Sequence, residues 1–186
     1  MTLDYSSISY DIREVDLKNK PTSLKNLSTK ATVPVLLLEN GTIIDESLDI
    51  MKYAIAINDP ENIFSLEKQR LIEELIKLND FDFVILLKQY KYPNNYPGIK
   101  LLQVRQEIEE RFLYKYEKML IDQDFLCSTK TLADYAIIPF IRQFAYVDFE
   151  WFCTSNYPNV IKWLLNFVDN NHFNNVIMQK YEIWHD

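Results

Sequence analysis

Val33-Pro34-Val35-Leu36-Leu37-Leu38-Glu39-Asn40-Gly41-Thr42-Ile43-Ile44-Asp45-Glu46-Ser47 is the stretch whose reading decides the fold. The apolar run from Val33 to Leu38 reads as a strand, and Thr42-Ile43-Ile44 as the strand that returns beside it. Asn40-Gly41 between them supplies the positive φ that a tight hairpin requires. Pro34 has no N–H to give to a ladder, so it marks a strand entry, an edge or a cis bend. Asp45-Glu46-Ser47 leads into Leu48, Ile50, Met51, Ala54 and Ile55, whose spacing puts them along one face of a helix.

This hairpin-then-helix segment also carries chemical content. A cis Pro34 would turn the Val33 backbone outward, where its N–H and C=O can pair with an extended peptide. Glu46 and Ser47 fall at a helix N-terminus, where free N–H groups and the helix dipole attract a carboxylate. The Ser47 hydroxyl adds a donor, and the Glu46 carboxylate can accept from an ammonium. Together they read the end group of an amino acid. Singly, each piece also reads as a strand-entry proline or an ordinary capped helix; order and spacing favour the binding reading.

Upstream, Tyr10, Ile12 and Val15 suggest a short strand over Tyr10–Val15, followed by Lys18-Asn19-Lys20-Pro21. Pro21 suits the start of a short helix with Leu24 and Leu27 on its apolar side. Downstream, Asn58-Asp59-Pro60-Glu61-Asn62 is rich in turn formers and reads as a linker. Beyond it the pattern is helical throughout. One helix runs from Ser65 to about Gln89 and a second from about Leu101 to Leu120. A third opens at Thr131, a fourth at Tyr157-Pro158, and a short last one lies around Val176-Ile177-Met178. The expected organisation is α/β plus all-α, with residues 1–57 forming a small mixed domain and residues 65–186 a helical one.

Composition narrows the function. Acidic residues outnumber basic ones, 27 to 20, for a net charge of −7 over 186 residues, which disfavours nucleic acid and anionic membrane surfaces as partners. With only two glycines there is neither a Walker pattern nor a GxGxxG run. Cys127 and Cys153 lack CxxC spacing and His172 and His185 flank no ligand set, so no metal site is expected. Both cysteines are expected to pack as small hydrophobes. The N-terminus lacks the charge and apolar core of a secretory signal, and no apolar run approaches the roughly 20 residues that span a bilayer. A cytoplasmic location is expected.

Ile12 to Pro21, Thr32-Val33-Pro34-Val35-Leu36 and Asp45-Glu46-Ser47-Leu48-Asp49-Ile50 together resemble the cytosolic glutathione transferases, particularly omega-like and related bacterial members. Thr131-Leu132-Ala133-Asp134-Tyr135 is similar to the capping box of that family's helical domain. The resemblance implies a thioredoxin-like N-terminal domain, N-terminally truncated, ahead of a glutathione-transferase helical bundle. It implies glutathione as cosubstrate. Lys20 would meet the glycine carboxylate, the Val33 backbone the cysteinyl unit, and Glu46 with Ser47 the γ-glutamyl end. A homodimer and a hydrophobic electrophile or disulfide substrate are implied as well. Phe81, Phe83, Tyr90, Tyr92 and Tyr96 fall where the family builds its cosubstrate pocket, although aromatic residues at such positions also serve as core.

Met1 to Tyr5 matches the middle of the family's first helix, so the first strand and the catalytic Cys, Ser or Tyr are expected to precede Met1. The catalytic residue is therefore unassigned. Tyr5, Ser6 and Ser7 are the nearest hydroxyls and are expected to face away from the site. The functions that follow are a glutathione transferase or thiol oxidoreductase, a non-catalytic glutathione-binding scaffold, and a decayed member of the family.

Overall fold

A computed structural model describes residues 1–169, 173 and 177–184 of the chain. The chain divides into two compact units, Met1–Glu61 with His172–Asp186, and Asn62–Asn171.

In the first unit, α1 (Thr2–Tyr5) and α2 (Thr22–Leu27) precede a two-stranded antiparallel sheet of β1 (Leu36–Leu37) and β2 (Ile43–Ile44), and α3 (Ser47–Ile57) follows it. The register pairs Leu36 with Ile44 and Leu37 with Ile43. Because side chains alternate along a strand, Leu37 and Ile43 share the exposed face, and Leu36 and Ile44 the half-buried one. Of the positions that the apolar spacing selects in α2 and α3, Leu24, Ile50, Ala54 and Ile55 are buried, whereas Leu27, Leu48 and Met51 are half-buried. Pro21 stands as N-cap of α2, one place earlier than its expected role as first helical residue.

The hairpin turn differs from a two-residue Asn-Gly turn. Gly41 N–H donates to Leu38 O at 2.9 Å, and Leu38 N–H donates to Thr42 O at 2.9 Å. Among residues 38–42 only Gly41 lies in the left-handed region, with φ +84°. The connection is a three-residue loop ending in a left-handed glycine. Asn40 contributes through its side chain instead, accepting from Thr42 N–H at 2.9 Å.

The strand expected over Tyr10–Val15 does not form. One parallel bridge, Glu14 to Ile183, is its whole pairing among the described residues. A strand needs a neighbour to supply its hydrogen bonds, and β propensity alone cannot provide one.

The second unit is helical. α4 (Gln69–Leu78) continues through a π-helical turn at Asn79–Phe83 into α5 (Val84–Lys91), and α6 (Leu101–Ile108) continues through another at Glu109–Leu113 into α7 (Tyr114–Met119). These are the two long helices legible in the sequence, each with one widened turn, although the first begins at Gln69 and not at Ser65. Arg111 pairs with Asp82 at 3.0 Å, and Phe112 meets Phe83 edge-on at 5.1 Å, so the two π turns lie side by side. α8 (Leu132–Ala145), α9 (Phe149–Thr154) and α10 (Pro158–Val168) complete the unit. Trp163, Tyr116, Phe83, Phe112, Phe144 and Phe152 are fully buried in its core, and each large apolar side chain there stabilises the fold by about 1.5–3 kcal/mol.

The capping box at Thr131 and Asp134 is present at the start of α8. Leu132 N–H also donates to Ile63 O at 2.8 Å, which ties that helix end to the segment preceding α4. Of the short last helix expected at 176–178, Val176 lies outside the described residues, and Ile177 and Met178 lie in a turn and a bend. His172 and His185 also lie outside them. Among the described residues no helix is long and apolar enough to cross a membrane.

Candidate functional site

The first unit places three of the four candidate site residues, Val33, Glu46 and Ser47, on two neighbouring loops, 28–34 and 45–47, and the fourth, Lys20, on the segment just before α2. The Val33–Pro34 peptide bond is cis. Val33 is 44% exposed, and among the described residues its backbone N–H and C=O enter no intramolecular hydrogen bond. An extended ligand can therefore pair with both groups without displacing anything.

Ser47 is the first residue of α3, and Glu46 is its N-cap with extended backbone (φ −113°, ψ 131°). Ile50 N–H to Glu46 O, at 3.0 Å, is the first helical hydrogen bond. The N–H groups of Ser47, Leu48 and Asp49 consequently stand free at the helix end, as the first turn of any helix leaves them. No side chain caps this end, and both Glu46 and Ser47 are exposed. The result is a cluster of donors able to take a carboxylate, favoured by the helix dipole, with an acidic side chain beside it.

Lys20 reaches the first of these loops. Its half-buried ammonium donates to Ala31 O at 2.7 Å, two residues before Val33, where the chain passes through a left-handed φ of 47°. That bond uses one of three donors and leaves the charge intact.

Two further residues join these loops, and sequence reading missed both. Ser28 Oγ donates to Asp45 Oδ2 at 3.0 Å and is buried. Lys30 donates to Glu46 Oε1 and lies 3.6 Å from Asp45 Oδ1. The Lys30 ammonium is held above its ordinary pKa, chiefly by the hydrogen bond to Glu46. In sequence Lys30 follows Ser28-Thr29 in a polar turn and is indistinguishable from a solvated lysine. Its role comes from the meeting of two loops.

Of the hydroxyls nearest the N-terminus, that of Tyr5 is engaged in hydrogen bonds. Tyr5 OH donates to Asp59 Oδ1 at 2.6 Å and accepts from Glu61 N–H at 2.8 Å. Burial and the Asp59 carboxylate push its phenol well above the usual range, which disfavours a phenolate. Ser6 is buried, and Ser7 adopts a left-handed φ of 55°.

In the second unit, Cys127 is buried, and burial pushes its thiol upward. Cys153 is exposed, contrary to the expectation that both cysteines pack inside; it sits on the short helix α9, which the sequence reading did not anticipate. The aromatic set divides. Phe83 and Tyr90 are core, the latter 5.3 Å from the Phe144 ring, whereas Phe81 and Tyr92 are exposed and Tyr96 is half-buried. Among the described residues no three His, Cys, Asp or Glu side chains gather as a metal site.

Comparison with known proteins gives consistent matches across both units. The profile described as "Glutathione S-transferase, N-terminal domain" matches residues 1–56, and "Glutathione S-transferase, C-terminal domain" matches residues 82–171. Two relatives from Arabidopsis thaliana are similar in sequence. Glutathione S-transferase L1 is 29% identical over 157 residues, spanning 81% of this chain and 62% of its own length. Glutathione S-transferase L3 is 28% identical over 171 residues, 88% of this chain and 69% of its own. The chain thus spans roughly two thirds of these relatives. Among solved structures, a Pseudomonas putida glutathione transferase with glutathione disulfide bound superposes with a TM-score of 0.78 at 16% identity, over 94% of this chain and 82% of that one. A glutathione transferase homologue from Sulfitobacter with bound glutathione gives 0.73 at 15% identity, over 95% and 89%. These superpositions establish a common fold.

Proposed function

Because the chain belongs to the glutathione S-transferase family, we propose that it binds glutathione at the Lys20, Val33, Glu46 and Ser47 loops of its first unit. The observation that carries this reading is the unpaired Val33 backbone beside the uncapped N-terminus of α3. The Val33 N–H and C=O pair with the cysteinyl unit. The N–H groups and hydroxyl at Ser47 take the γ-glutamyl carboxylate, while Glu46 accepts from its ammonium. Lys20 meets the glycine carboxylate. Each end of a tripeptide carrying two carboxylates and one ammonium thus finds a group of complementary charge.

The reaction class is transfer of the glutathione sulfur to a hydrophobic electrophile, or reduction of a mixed disulfide, in a cytoplasmic homodimer. No described side chain is assigned to activating the sulfur. The engaged phenol of Tyr5 and the buried thiol of Cys127 favour a second reading, in which this polypeptide binds glutathione and acts as a scaffold without turnover.

Calorimetric titration of glutathione into the purified chain, beside a Glu46→Ala, Ser47→Ala double variant, tests the site. Binding by the parent and its loss in the double variant support it. Absence of binding by a folded parent chain rejects it. Turnover assays on the same preparation separate the catalytic reading from the scaffold reading.

A further inference from the structure

Residues 9–15 are nearly bare of backbone hydrogen bonds. Among the described residues, the one backbone–backbone bond in that stretch is accepted by Glu14 O from Trp184 N–H at 2.7 Å. Glu14 and Ile183 form a parallel bridge there. The Arg13 guanidinium lies 4.9 Å from the centre of the Trp184 ring, within cation–π range. The contact thus combines a ladder bond, a bridge and a ring contact, all between the same short segments. Glu14 is followed by a turn in which Lys18 N–H donates to Asp16 Oδ1 at 2.9 Å and Asn19 N–H to Asp16 O at 3.1 Å. Lys20 comes next and reaches Ala31.

We propose that Tyr181–Trp184 is a strap that docks in parallel on the open edge at Ile12–Glu14, and that its docking orders the arm carrying Lys20. An edge with unpaired N–H and C=O groups accepts any extended segment of suitable geometry. Here the chain's own C-terminal segment is the occupant, and Trp184 is its anchor. The strap is a positioning element: it touches no ligand, and acts on the site through the backbone between Glu14 and Lys20.

Limited trypsin digestion of the full-length chain tests the docking, since trypsin needs the Arg13–Glu14 bond as a free extended strand. Trp184→Pro removes both the donor and the ring, and is expected to speed cleavage at that bond about tenfold, with the thermal unfolding of the helical unit unchanged. An unchanged cleavage rate overturns the proposal. A measurement on the parent guards against a misfolded variant: the Trp184 amide should exchange with solvent about tenfold more slowly than that of Glu182, and equal rates overturn the strap. The effect on Lys20 rests on the glutathione reading and is measured separately. Trp184→Pro should weaken glutathione binding about threefold in the parent and not at all in a Lys20→Met background. Equal affinity of parent and Trp184→Pro overturns the coupling. A parent that binds no glutathione rejects the glutathione reading, and the digestion and exchange results then decide the strap alone.

Discussion

Trp163 Nε1–H donates to Asp134 Oδ1 at 3.1 Å, joining α10 to the capped end of α8 across 29 residues. The same carboxylate accepts from Leu126 N–H at 3.0 Å, Thr131 N–H at 2.8 Å and Thr131 Oγ at 3.0 Å. Asp134 is fully buried, and desolvation pushes its pKa up against the pull of these four donors. A residue that begins as a local cap is therefore the polar hub of the second unit.

Asp134→Ala should destabilise this unit by about 3–5 kcal/mol, because it strands several buried donors at once. Asp134→Asn keeps an acceptor for Trp163 and should cost clearly less. Trp163→Phe removes one donor together with part of the core packing. Urea unfolding followed by far-UV circular dichroism ranks the three.

Glu117 caps α10 from another helix. Its carboxylate accepts from Asn159 N–H at 3.0 Å, Val160 N–H at 3.0 Å and Asn159 Nδ2 at 2.7 Å. Pro158 opens this helix and has no N–H of its own, so the free donors of the first turn fall on the residues after it. Glu117→Ala should cost about 1–2 kcal/mol, and Glu117→Gln roughly half of that, read as shifts in the urea midpoint.

Gly41 has φ +84°, and a Cβ added there would meet nothing within 4 Å. Its cost on substitution is thus purely that of the backbone. Gly41→Ala should lose about 1 kcal/mol, and Gly41→Asn less, because asparagine tolerates the left-handed region. Equal losses for the two would show that tolerance of the left-handed region does not set the cost at this turn.

The two thiols should separate kinetically. Cys153 is exposed and Cys127 buried, with its thiol shifted upward, so a colourless-to-yellow thiol reagent at pH 8 should label Cys153 at once. Cys127 should react only on unfolding. Two equally fast thiols would mean that the loop at Cys127 opens readily.

For the proposed glutathione site, Lys20→Met should weaken binding about tenfold, by loss of one charge-assisted hydrogen bond, and should flatten its salt dependence measured between low and moderate ionic strength.

Several of these features were open to sequence reading because their causes are local. The hairpin and α3 follow from periodicity and from one glycine, and the Thr131–Asp134 box from residues three apart. The long helices follow from apolar spacing. The π turns within them did not show, since a widened turn shifts the register by a single residue and responds to packing such as that of Phe83 on Phe112. The Tyr10–Val15 segment has the composition of a strand, yet composition supplies no neighbour, and its one ladder bond comes from Trp184 at the other end of the chain. Lys30 on Glu46, Glu117 on α10 and Trp163 on Asp134 are of the same kind. What the sequence determined by itself was everything stabilised within a few residues: turn, cap, helical face and the order of the site segments. The tertiary structure alone decided which distant groups meet, because such pairings exist only after the chain has already paid the entropy of bringing them together.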